Sequence, residues 1–299
     1  MPELARTMIV TGASSGIGRA LALAAARAGY RVVAGARRAQ LLDDVAREIR
    51  DGGGDCVTLA GDITAPDMPA RIVGAALQAF GRIDAVVNNA GVGAYGSLLD
   101  AGDAGLDAQW KLHVVAPLRL ARAAVGHLEK THGVLVFVGS GIARVPLPNY
   151  GGYAVAKAAI RAAAIQLRRE LRSRRVAVTY VDPGVVATEF HSRLGIERTT
   201  KFAVPAERVA RAILRGIARR SAVVSAVPWQ TASGALGEWF GTLSDPLVIK
   251  HFSARRARGN EQAPPPPARH PEPFELTLEP VARRMERVKL SPDFLREAL

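Results

Sequence analysis

Met8-Ile9-Val10-Thr11-Gly12-Ala13-Ser14-Ser15-Gly16-Ile17-Gly18 is an apolar run that breaks into a glycine-rich turn and then into an Ala/Leu stretch reaching Ala28. The run predicts a buried strand, the stretch from about Gly16 a helix, and the turn joins the end of one to the start of the other. A pyrophosphate needs that junction: backbone N–H donors at close range and a helix N-terminus aimed at it. Side chains beyond Cβ would block the approach, so glycines belong at the turn and at the first helical residues. The spacing is G-x-x-x-G-x-G over Gly12, Gly16 and Gly18, with Ser14, Ser15 and Ile17 between them. It differs from the G-x-G-x-x-G fingerprint, and no Lys-Ser/Thr follows the last glycine as a nucleoside triphosphate loop requires.

Outward from that junction, β-rich runs alternate with helical patterns as far as Val185. Further strands are expected at Arg31–Ala36, Asp55–Ala60, Ile83–Val87, Gly133–Gly139 and Val176–Val181. Helices are expected at Gln40–Arg50, Pro69–Phe80, Leu106–Leu128 and Tyr153–Arg172. Near-continuous apolar strands separated by helices predict a parallel sheet covered on both faces. Right-handed crossovers make it a doubly wound, Rossmann-like α/β fold. Beyond Val185 the pattern loosens into a loop or short helix at Glu189–Val204, an amphipathic helix at Pro205–Arg220 and a strand at Ala222–Val227. The composition divides the chain into a domain over 1–252 and a basic, proline-containing C-terminal extension over 253–299. In the extension Ala263 and Pro264 to Pro267 form a stiff spacer ahead of Arg283, Arg284, Arg287 and Lys289.

A chain of 299 residues, 48% hydrophobic, is long enough to bury a large core. Cys56 is the single cysteine, which excludes an internal disulfide and a cysteine-cluster metal site and suits a reduced compartment. The net charge of +13 raises the question of nucleic acid, but the arginines are spread over many helices, so no nucleic-acid partner is expected. The N-terminal residues carry Glu3 and lack a long apolar core, unlike a secretory signal. The uncharged stretch Ser221–Gly237 is too short and polar to span a membrane. The expected location is cytoplasmic.

The second strand ends in Gly35-Ala36-Arg37-Arg38, where an NAD enzyme would place an acid on the ribose 2′-hydroxyl. Two guanidiniums suit a 2′-phosphate instead, so NADP(H) is preferred over NAD(H), against the alternative of two solvated arginines opening a helix. Tyr153 and Lys157 stand four residues apart, on one helix face. Reducing a carbonyl leaves an alkoxide that needs a proton, and a neighbouring ammonium is expected to bring a phenol down from its usual value near 10. Ser140 ends the fifth strand, at the sheet edge where such folds bind ligands, and its hydroxyl can hold a carbonyl oxygen.

With Gly12, Gly16 and Gly18, Asn88-Asn89-Ala90-Gly91, Ser140, Tyr153 with Lys157, and Pro183-Gly184 in this order, the chain resembles the short-chain dehydrogenase/reductase family. The likeness is to its compact TGxxxGxG/YxxxK branch and covers about Thr7 to Phe252. It implies a Rossmann-like fold, an NAD(P)(H) cofactor, hydride transfer between an alcohol and a carbonyl, and a homodimer or homotetramer. It implies that Tyr153 is the general acid, tuned by Lys157, which also holds the ribose. Asp62, beside Ile63, would contact the adenine, or equally cap the next helix. Asn89, with Ala90 and Gly91, would line the cofactor site or be mainly structural. Pro183, Gly184 and Val186 would border the cofactor, and Thr188 would reach the nicotinamide amide. One position departs from the family pattern. His113 stands where many members carry an asparagine supporting a water relay to the lysine. An imidazole can donate and accept at once, and can charge near neutrality. Either the relay is rebuilt around it, or it is a core histidine without a catalytic part.

Substrate in that family lies against the loops after strands five and six, here Gly141–Pro148 and Glu189–Val204, joined by Tyr95. Their mainly apolar composition suits a hydrophobic ketone, aldehyde or alcohol as the small-molecule partner. Arg144, His191 and Arg193 would meet an acidic group or form a solvated rim. Trp229, Trp239 and Phe240 suit a lid, a subunit contact or a patch for weak peripheral membrane association. The rival reading is a regulatory or scaffold protein that binds cofactor without turnover, to which the complete Ser/Tyr/Lys set is opposed.

Overall fold

The computed structural model describes residues 5–188 and 203–252; Glu189, His191, Arg193 and the expected extension over 253–299 lie outside them. Seven strands form one sheet: β1 Thr7–Thr11, β2 Arg31–Ala36, β3 Cys56–Ala60, β4 Ala85–Asn88, β5 Val134–Val138, β6 Ala177–Asp182 and, later, β9 Val223–Ser225. Their order is β3-β2-β1-β4-β5-β6-β9, every pairing parallel. Two-residue strands β7 Val186–Ala187 and β8 Val204–Pro205 pair separately.

Pleating sends alternate residues to opposite faces. Met8 and Val10 of β1 therefore enter a core with Leu21, Leu42, Val45 and Ile213, while Ile9 enters another with Ile72, Leu120, Leu128 and Ile160. The first layer is built by α1 Gly16–Arg27, α2 Ala39–Asp51 and α7 Ala206–Ala218, the second by α3 Met68–Phe80, α5 Ala116–Thr131 and α6 Gly151–Glu170. The strand order reverses between β1 and β4, and the helices diverge there, opening a crevice at the carboxyl ends of the strands.

The single helix expected over Leu106–Leu128 is interrupted. α4 Asp103–Trp110 passes into a π turn over Lys111–Val115 before α5 begins. Pro117 has no N–H to return to the His113 carbonyl, and the Ala116 N–H reaches back to Lys111 instead. The turn carries His113 into the crevice. After β9 the chain forms α8 Pro228–Trp239 and α9 Gly241–Phe252. α8 buries none of its residues, and Trp229, Trp239 and Phe240 all face outward, Trp239 being 86% exposed.

Candidate active site

The glycine turn and the Asn89-Ala90 segment touch. A Cβ on Gly18 would fall 2.2 Å from the Gly12 carbonyl oxygen and 2.5 Å from Asn89 Nδ2, and Gly12 itself has φ +68°. Asn89 Nδ2 donates to the carbonyls of Thr11 at 2.9 Å and Gly12 at 3.4 Å. Thr11 Oγ1 accepts from the backbone N–H groups of Asn89 (3.0 Å) and Ala90 (3.1 Å). Asn89 thus stitches the end of β1 to the end of β4 while also facing the crevice. Gly18 lies behind the turn rather than on the crevice wall, and its role is to let the turn close.

The crevice holds a cavity of about 850 Å³, in the range of small-molecule sites. Its walls bring together Gly12, Ser14, Ser15, Gly16 and Ile17 of the turn, Arg37 and Arg38, Asp62 and Ile63, and Asn89 to Gly91. They continue through His113, Ser140, Tyr153 and Lys157 to Pro183, Gly184, Val186 and Thr188. A cradle that Cβ atoms would fill, at the N-terminus of α1, fits a dinucleotide pyrophosphate. Arg38 Nη2 donates to Ser14 Oγ at 3.1 Å and Ser15 Oγ at 2.6 Å, which sets a guanidinium beside that helix start. Asp62 is not a helix cap. Its Oδ1 accepts from Thr64 N at 2.9 Å and Oγ1 at 2.8 Å, and the backbone bond from Thr64 leads in holding the carboxyl below its usual range. Thr11 and Gly139 also line the cavity; no sequence signal marked them as site residues, because which strand ends meet is set by sheet order.

Ser140 sits at the end of β5 as the N-cap of a short turn over Gly141–Ala143, its Oγ accepting from Ile142 N at 3.4 Å. It also hydrogen-bonds the Tyr153 hydroxyl. Tyr153 and Lys157, each 6% exposed, lie one turn apart on α6, with Lys157 Nζ 5.7 Å from the phenol ring centre and donating to Val138 O at 2.9 Å. The expected acidification of the phenol is not what this site produces. Burial raises the Tyr153 pKa well above 10 and outweighs the Ser140 hydrogen bond that lowers it, with Tyr180 and Tyr150 pushing further up. Burial also brings Lys157 down to about 8.

His113 is 2% exposed, with Nε2 at 2.8 Å from the Val92 carbonyl and its ring edge-on to Tyr153 at 5.2 Å between centres. A carbonyl can only accept, so Nε2 carries the proton and Nδ1 is the bare nitrogen, without a partner among the described residues. Gly91 makes room for it: a Cβ there would sit 2.7 Å from His113 Cε1. Burial first, then the Lys157 charge, pull its pKa down to about 3, against the bond to Val92. The imidazole that charges near neutrality is therefore replaced by one that stays neutral.

Arg144 is not among the residues that line the cavity, and its Nη1 donates to Glu238 Oε2 of α8 at 2.9 Å. Tyr95 is half-exposed and stacks edge-on against Tyr150. Among the described residues no group of His, Cys, Asp and Glu could hold a metal, and no helix is long and apolar enough to cross a membrane.

The model of the short chain dehydrogenase family matches residues 6–198. A short chain dehydrogenase of Pseudocercospora fijiensis is 39% identical over 188 residues, 62% of this chain and 60% of that protein. An 11-beta-hydroxysteroid dehydrogenase-like protein of Arabidopsis thaliana is 32% identical over 234 residues, 75% of this chain and 74% of its own. A solved short-chain dehydrogenase of Sphingobium yanoikuyae, in complex with NADPH, aligns with TM-score 0.69 at 28% identity, covering 86% of this chain and 100% of that one. The sheet order, the crevice and these matches together place the chain in the short-chain dehydrogenase family of oxidoreductases.

Proposed function

We propose that the protein is an NADP(H)-dependent oxidoreductase interconverting a hydrophobic ketone or aldehyde and its alcohol. The observation that carries this is the convergence of Ser140, Tyr153 and Lys157 on the wall of the cavity that the glycine cradle closes at its other end. When bound, the dinucleotide supplies or accepts the hydride. In the reducing direction the Tyr153 hydroxyl gives its proton to the substrate oxygen, and Ser140 Oγ orients that oxygen by a hydrogen bond. Lys157 supplies positive charge and a proton from beside the phenol. His113 offers its bare Nδ1 as an acceptor.

The NADP(H) preference is supported by the guanidiniums of Arg37 and Arg38 on the cavity wall and by the lack of a carboxylate at the end of β2. The NADPH bound by the Sphingobium yanoikuyae relative agrees with it. The reading includes a homodimer or homotetramer in the cytoplasm, with weak peripheral membrane association through Trp229, Trp239 and Phe240. His113, standing where the family pattern has an asparagine, favours the second reading, a cofactor-binding regulator without turnover. One experiment separates the two. Tyr153→Phe should lower ketone reduction by at least about a hundredfold while NADPH binding, read by fluorescence titration, is retained. Unchanged turnover refutes the general-acid role of Tyr153, and a parent chain silent on a broad carbonyl panel despite tight NADPH binding refutes the enzyme reading and favours the regulator.

A further inference from the structure

Behind Ser140, away from the cavity walls, stands a second tyrosine. Tyr180 of β6 pairs in register with Phe137 of β5 and is 4% exposed. Its hydroxyl accepts the Ser140 N–H at 3.2 Å and donates to the Ser140 carbonyl at 3.2 Å. One oxygen thus grips both ends of a single residue's backbone. The grip is possible because residue 139 is glycine: a Cβ there would lie 2.1 Å from Tyr180 Cζ and from its hydroxyl oxygen. Burial raises the Tyr180 pKa to about 12, so the phenol stays protonated and keeps its donor.

Arg161 and Arg144 lie close enough to Tyr180 to oppose that rise electrostatically. Both are clasped by one carboxylate on α8. Glu238 Oε1 takes Arg161 Nη1 at 2.9 Å, and its Oε2 takes Arg144 Nη1 at 2.9 Å and Arg161 Nη2 at 3.3 Å. Arg144 Nε is buried without a hydrogen-bond partner among the described residues, so the clasp supplies what holds that guanidinium. Contacts run from Tyr180 to Ser140 and from Ser140 to Tyr153.

We infer that Tyr180 is a positioning residue that fixes Ser140 Oγ against Tyr153 and the substrate oxygen. The inference rests on the hydride-transfer reading. The Ala143 N–H also donates to the Ser140 carbonyl at 3.1 Å, while the Ser140 N–H is held by the Tyr180 hydroxyl, and a displacement of about 1 Å at a reacting group can cost about a hundredfold in rate.

The test is a double-mutant cycle on the full chain with NADPH and acetophenone, or the fastest ketone of a hydrophobic panel. Tyr180→Phe should lower kcat about tenfold, with NADPH affinity unchanged. In a Ser140→Ala background the same substitution should cost less than about twofold, because the group it positions is gone. An equal loss in both backgrounds, or no loss in either, overturns the inference. If Tyr180→Phe fails to fold, Tyr180→Met, which fills the buried site without a hydroxyl, carries the same test, with the loss again expected only where Ser140 is present. Full turnover in Ser140→Ala alone overturns this inference together with the role given to Ser140. Full turnover in Tyr153→Phe overturns the role given to Tyr153 and with it this inference, whereas a parent chain that reduces no ketone of the panel overturns the hydride-transfer reading itself.

Discussion

Replacing His113 with asparagine removes a group whose protonation the fold opposes. Unfolded, the imidazole takes a proton near pH 6.5; folded, burial and the Lys157 charge hold it neutral down to about 3. Between those values the unfolded chain binds a proton that the folded chain does not, so stability falls as the pH falls. The slope is about 1.4 kcal/mol per pH unit, which amounts to about 2 kcal/mol between pH 7.5 and pH 5 and about 4 kcal/mol by pH 3. Carboxylates elsewhere titrate over the same range, so the quantity to read is the difference between parent and variant. Asparagine is too short to replace the bond from Nε2 to the Val92 carbonyl, a loss independent of pH, and it cannot charge. Urea denaturation at both pH values should show the variant gaining about 2 kcal/mol on the parent as the pH drops from 7.5 to 5. A difference that does not change with pH, or that moves the other way, refutes a histidine kept neutral by burial.

Gly18→Ala puts a methyl 2.2 Å from the Gly12 carbonyl oxygen and should shift the turn, with NADPH affinity falling by about tenfold or more in a fluorescence titration. Native affinity in that variant shows that the turn does not hold the pyrophosphate. Arg37→Asp should weaken NADPH about tenfold more than NADH; equal weakening in competition titrations removes the case for 2′-phosphate recognition. Phe137→Ala, at the fully buried centre of β5, should cost about 3–5 kcal/mol in urea denaturation. A loss below 1 kcal/mol, by roughly the same scale, means the layer between β5 and α6 repacks freely.

The parallel strands and the phosphate turn were readable because their signals are local. A buried strand is an apolar run, a helix start is a change of period, and Gly12-x-x-x-Gly16-x-Gly18 marks where the two meet. The Tyr153–Lys157 pair was readable for the same reason, since helical spacing alone puts both on one face. The π turn at His113 had a local trace in Pro117, but its consequence depends on what the turn is packed against.

Sequence alone therefore determined the order of elements, the glycine turn and the identity of the side chains proposed to react. Tertiary structure decided their chemical states and their supports. The phenol, expected to be acidified by its lysine, is raised by burial, and the histidine, a residue type able to charge near neutrality, is held neutral. Arg144 is taken by Glu238, 94 residues away, and Ser140 is gripped by Tyr180, 40 residues away. Desolvation and cross-strand register belong to the packed sheet as a whole, and no window of neighbouring residues encodes them.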